Sequence, residues 1–117
     1  MTKLYNTTIK ENGIDAAVLY VDNFGNVVLD VTMAELELVF KGQPFVIALP
    51  GKYADITEIE MQPYKEEIGA CACIVNEFGF LTITAYKAHA ATLLGWQAQG
   101  YIDIGSHFIA IRYAARH

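Results

Sequence analysis

Val21-Asp22-Asn23-Phe24-Gly25-Asn26-Val27-Val28 is the stretch that decides the fold. Two apolar runs meet there across a short polar break. Asn23 tolerates a left-handed backbone and Gly25 prefers one, which is the chemistry of a tight hairpin turn. Phe24 sits inside the turn, where an aromatic side chain has no local reason to be. A ring projected from a turn is held for the core, for a partner or for a flat ligand. The pattern returns fifty-four residues later, position for position, as Val75-Asn76-Glu77-Phe78-Gly79-Phe80-Leu81. Two copies suggest one physical task done twice. Two ordinary turns with core-anchoring Phe residues explain the repeat as well, and the residues alone leave both readings open.

Outward from the first hairpin, residues 14–21 and 27–31 are apolar and β-branched enough to be its two arms. Residues 1–13 are polar and end in Asn12-Gly13, so they read as a lead-in or linker to a domain over 14–117. Thr32, with Glu35 three residues on, fits a helix start of the capping-box type. Gly42 and Pro44 should end that helix before a strand at 45–49. Ile56, Ile59 and Met61 mark a partly exposed edge strand. Lys65-Glu66-Glu67 reads as a solvated loop.

The second hairpin has arms at 70–75 and 80–86. Leu81, Ile83 and Ala85 should face one way, and Thr82 and Thr84 the other. A short helix over 88–94 is closed by Gly95. Strands at 101–104 and 107–113 complete the chain, the last with Ile109, Ile111 and Tyr113 on one face. About eight short strands at close spacing read as an all-β sandwich or closed barrel with one or two short helical insertions. Parallel βαβ alternation is not evident.

The length of 117 residues is one domain able to bury a core, and 54% hydrophobic residues exclude a disordered chain. A formal charge of −5 argues against nucleic acid as partner. No apolar stretch approaches a membrane span and the N-terminus lacks a signal peptide's apolar segment, so the expected location is the cytoplasm. Cys71 and Cys73 are poorly spaced to bridge each other and read as buried reduced thiols.

A self-sufficient catalytic site is not legible. His89, His107 and His117 are far apart, and Asp22, Asp30 and Glu77 have no spacing that makes an acid/base pair. No catalytic residue, metal ligand or cofactor is expected. A binding surface is easier to argue. Phe24, Phe78 and Tyr64 offer flat apolar faces, and Asn26 and Asn76 offer amides that donate and accept together. A planar heterocycle with polar edges suits that set. This reading expects the two loops to turn their rings toward a common cleft.

These residues resemble the C-terminal domain of the S-adenosylmethionine (SAM) hydrolases, or SAM hydroxide adenosyltransferases, relatives of the fluorinases and chlorinases. Val21 to Val27 is like the family's Asp-x-Phe-Gly-Asn hairpin. Gly69, then Asn76, Gly79 and Leu81, is like its Gly…Asn-Ser-x-Gly-x-Leu stretch. Leu81-Thr82-Ile83, His89-Ala90-Ala91 and Leu93-Leu94-Gly95 are like its Leu-Glu-Ile-Ala…Asn-Ala-Ala…Leu-Gly.

The resemblance implies a Greek-key β-barrel-like domain and a homotrimer. SAM then lies between this domain and the N-terminal domain of a neighbouring subunit, and water displaces methionine from the 5′ carbon to release adenosine. It also implies that the groups handling water belong to the N-terminal domain, so the chain alone is expected to be inactive. Substrate-binding positions carried over are Phe24 and Asn26, Tyr64 near adenine, Asn76, Glu77 and Phe78 toward methionine, and His89, Ala90 and Ala91 beside adenine.

Three departures stand out: Glu77 replaces Ser, His89 replaces Asn, and Leu29-Asp30 replaces Thr-Asn. A carboxylate at Glu77 would repel the methionine carboxylate or attract its ammonium group. The alternatives are a stand-alone β-barrel serving ligand binding or assembly without catalysis, and half of a SAM-dependent halogenase.

Overall fold

A computed structural model describes residues 7–49, 55–60, 70–94 and 108–114 of the chain. Strand β2 (Gly13–Val21) is the spine. Its first half pairs with β1 (Thr8–Lys10) on one side and β8 (Phe108–Tyr113) on the other. Its second half pairs with β3 (Val27–Thr32) across the first hairpin. The β2–β3 register shifts between Val18 and Tyr20, an irregularity of the kind that bends a strand.

The remaining strands are β4 (Phe45–Ala48), β5 (Ile59–Glu60), β6 (Cys71–Val75) and β7 (Phe80–Ala85). The order β4-β8-β2-β3-β7-β6-β5 makes a curled, barrel-like sheet, and the all-β expectation holds. β8, last in the chain, lies between β4 and β2.

The core fills the concave side. Ile14, Ala16 and Val18 alternate inward along β2, joined by Leu29, Leu81, Ile83, Ile109 and Ile111. Burying an aliphatic side chain of this size stabilises by about 1.5–3 kcal/mol each. Helix α1 (Met33–Phe40) plugs one end with Leu36 and Phe40. Phe40 packs on Phe45 and Tyr113 at ring-centroid distances of 5.5 and 4.7 Å, tying α1 to β4 and β8. The capping box is present: Thr32 accepts from the Glu35 amide, and the Glu35 carboxylate accepts from the Thr32 amide.

Four features are not foreseen in the residues. Thr8–Lys10, within the polar lead-in, is a strand. Only Ile9 signals it, and that side chain is exposed. β5 pairs with β6 in parallel, over two residues too few to leave a sequence pattern. Thr82 is buried like its neighbours, and its hydroxyl donates to the Phe80 carbonyl. Asn23 does not use a left-handed backbone; in the turn only Gly25 does, with φ 82°. The expected strand at 101–104 and the loop with Lys65-Glu66-Glu67 lie outside the described residues.

Candidate functional site

The two repeated loops are one structure built twice. In the first, the Gly25 amide donates to the Asp22 carbonyl and the Asp22 amide to the Asn26 carbonyl, each at 3.0 Å. The Asp22 side chain then accepts from the Phe24 and Asn26 amides at 2.9 Å. In the second, Gly79 donates to the Asn76 carbonyl and Asn76 to the Phe80 carbonyl, at 3.0 and 2.9 Å. Asn76 Oδ1 accepts from the Phe78 and Phe80 amides at 3.0 and 2.9 Å. Gly79 takes φ 88°, matching Gly25. This is a type I turn closed by a left-handed glycine, with an Asx side chain holding the backbone.

The turn geometry explains the exposed rings. With the Asx carboxylate or amide under the loop, the third residue points outward. Phe24 is 78% exposed and Phe78 69% exposed, so neither ring anchors the core.

Each loop is also pinned to a helix start. The Met33 amide, at the head of α1, donates to the Gly79 carbonyl at 2.9 Å. The Ala91 amide, in the first turn of α2 (Ala90–Leu93), donates to the Gly25 carbonyl at 2.9 Å. His89 is the N-cap of α2: its Nδ1 accepts from the Thr92 amide at 3.3 Å and lies 2.9 Å from the Thr92 hydroxyl. The imidazole lies over the α-carbon of Gly25, where a Cβ would sit 2.2 Å from the ring. Phe24, Asn26, His89, Ala90 and Ala91 therefore gather at one end of the β3–β7 pair.

Asn76, Glu77 and Phe78 lie at the other end. The β3–β7 register runs from Val27 opposite Ile83 to Thr32 opposite Phe80. The hairpin bases are thus separated by three residues of β7, about 10 Å at strand rise. The expectation of one common cleft for both rings is corrected: in an antiparallel pair each hairpin closes the opposite end.

The amide expectation also changes. Asn26 Nδ2 is held by Asp22 Oδ2 at 3.0 Å, and Asn76 Oδ1 serves two backbone amides. Ala91's amide is committed to Gly25, and the Ala90 carbonyl accepts from Leu94 at 2.9 Å. Glu77 is exposed at the tip of the second loop. Tyr64 lies outside the described residues. Sequence reasoning missed the structural use of Asp22 and the capping role of His89. The signal for the first was the Asx at the head of both repeats.

The two thiols, neither in a disulfide, lie on β6, Cys71 half-buried and Cys73 buried. Burial pushes the Cys73 thiol up to about 12 and raises Cys71 as well. Lys10 on β1 and Arg112 on β8 hold the Asp15 carboxyl on β2 below its usual value, Lys10 contributing most. Among the described residues no helix is long and apolar enough to cross a membrane.

No curated protein matches the chain. A crystal structure of an uncharacterized conserved protein from Thermotoga maritima is similar in fold, with a TM-score of 0.63 at 17% identity. The match covers 96% of this chain and 40% of that one, so the chain spans less than half of that protein's length. The family model for the SAM hydroxide adenosyltransferase C-terminal domain matches residues 16–102, which include both hairpins and α2. By that match over most of its length, the chain belongs to the SAM hydroxide adenosyltransferase C-terminal domain family.

Proposed function

We propose that the chain is the adenosyl-binding, trimer-building C-terminal domain of a SAM hydrolase-like enzyme acting in the cytoplasm, in which SAM and water give adenosine and methionine. The observation that carries this reading is the end of the sheet where Phe24 stands exposed beside Asn26 and the His89-Ala90-Ala91 segment, all held by the Gly25–Ala91 bond. An exposed ring on a rigid turn suits stacking on a purine. In this reading the nucleoside sits at Phe24 and the amino-acid end of an extended ligand runs along the β3–β7 pair toward Asn76, Glu77 and Phe78, whose hairpin base stands about 10 Å away along β7.

The chemistry asks little of this half. A sulfonium makes methionine a good leaving group, so the site has to position the ribose and exclude water other than the nucleophile. Groups that handle that water come from the N-terminal domain of a neighbouring subunit in this reading. Exposed Phe24, Phe78 and Leu38 give apolar surface for such contacts, and thiols outside any disulfide fit a reducing compartment.

The test is to mix the chain with the N-terminal domain of a SAM hydroxide adenosyltransferase and SAM, and follow adenosine by chromatography. Adenosine release and a trimer in sedimentation are expected. No release, with no SAM binding by calorimetry, would overturn the reading.

A second reading, a binding-only module, is favoured by one observation. Glu77 places an exposed carboxylate at the loop assigned to the methionine end, where it opposes a carboxylate ligand. That module would bind adenosine and discriminate against SAM.

A further inference from the structure

We infer that His89 is a positioning residue: a clasp held in its neutral, Nε2-protonated form that sets the first hairpin against α2 and releases it on acidification. The inference rests on the proposed nucleoside-binding role of that end of the sheet. A backbone amide can only donate, and the Thr92 amide points at His89 Nδ1 at 3.3 Å. The Thr92 hydroxyl lies 2.9 Å from the same nitrogen and, as a hydroxyl, can donate or accept there. The ring proton therefore belongs on Nε2.

The root of the same ring lies on Gly25, whose carbonyl takes the Ala91 amide at 2.9 Å. Cap, ring contact and backbone bond form one unit. Protonating Nδ1 removes the acceptor that the Thr92 amide uses at the cap, and it sets a cation at a helix start, where charge of that sign is disfavoured. The unit should open.

Ionisable groups on the elements packed around the ring are few. Asp22 of the hairpin has its carboxylate engaged by the Phe24 and Asn26 amides and the Asn26 side chain. Tyr86 and Lys87 follow β7, the Lys87 ammonium 5.4 Å from the Tyr86 ring centroid. α2 carries no acidic residue in its first turn. No carboxylate is therefore aimed at the ring to absorb the new charge among the described residues.

The test uses the full chain with nitrogen-labelled histidine, titrated by NMR through the acid range without ligand. His89 Nδ1 should show the unprotonated, pyridine-type signal at neutral pH. The Gly25, Ala91 and Thr92 amide signals should shift together with its titration. His89→Asn keeps a side-chain acceptor at the cap but cannot be protonated, so it should fold and lose that coupled shift. His89→Ala should speed hydrogen exchange at Ala91 and Thr92 about fivefold. A protonated Nδ1 at neutral pH, amides that ignore the titration, or a coupled shift persisting in His89→Asn would each overturn the clasp. Because no ligand is added, failure of the nucleoside reading is scored separately, by adenosine binding.

Discussion

Gly25 and Ala91 are joined by one backbone bond, the Ala91 amide donating to the Gly25 carbonyl at 2.9 Å. The same device recurs where Met33 donates to Gly79 at 2.9 Å. In both, a glycine that turns the hairpin also offers its carbonyl to an amide that a helix start leaves without an internal partner. The loops are rigid because the helices need them, and the exposed rings inherit that rigidity.

The two glycines should respond differently to alanine. Both take a left-handed backbone, which costs about 1 kcal/mol for a side chain. Gly79→Ala has open space for its Cβ and should lose about that much in urea unfolding. Gly25→Ala meets the His89 ring at 2.2 Å and should lose at least about 2 kcal/mol. Equal losses would contradict the clasp geometry.

Phe24→Ala removes a ring that stabilises little on its own, because it is mostly solvated. Its unfolding free energy should stay within about 0.5 kcal/mol of the parent chain. Binding of adenosine should weaken roughly tenfold, the order expected for a lost stacking surface. Phe78→Ala should leave adenosine binding intact.

Thr32→Ala deletes the α1 cap and should cost about 1 kcal/mol, while Thr32→Ser should restore nearly all of it. Chemical denaturation of the three chains checks this.

The thiols give a pH prediction. Cys73 is pushed up to about 12, against 9.0 for a free thiol, by burial. Its folded value is raised, so its contribution to stability is complete below about 9 and declines as pH rises toward about 12. Cys73→Ala should flatten that alkaline decline, read by thermal unfolding across the range. Asp15 has the opposite sign. Its folded value is depressed by Lys10 and Arg112, so its contribution holds above 3.8 and is lost as pH falls below it. Asp15→Asn should cost under about 1 kcal/mol at neutral pH, with the difference disappearing in acid.

Much of this was legible in the residues. The turn chemistry of Gly25 and Gly79 is local, so the hairpins and their arms could be read directly. Thr32 and Glu35 likewise announce α1 by spacing alone. What failed depends on pairing across the chain. The position of Phe24 relative to Phe78 is set by β3 lying antiparallel to β7, which no local pattern encodes. Asn26 and Asn76 looked like ligand amides because both roles use the same group, and only the folded loop shows Asx oxygens bonded to backbone amides. Strand β1 has one apolar residue and is held by its partner β2.

The central claim is that the Phe24 end of the sheet receives the nucleoside. Adenosine titrated into the nitrogen-labelled chain tests it most directly. The account predicts amide shifts concentrated at Phe24, Gly25, Asn26 and the residues from His89 to Thr92, with Glu77 and Phe78 unmoved. Shifts confined to the second hairpin, or none at millimolar adenosine, would contradict it.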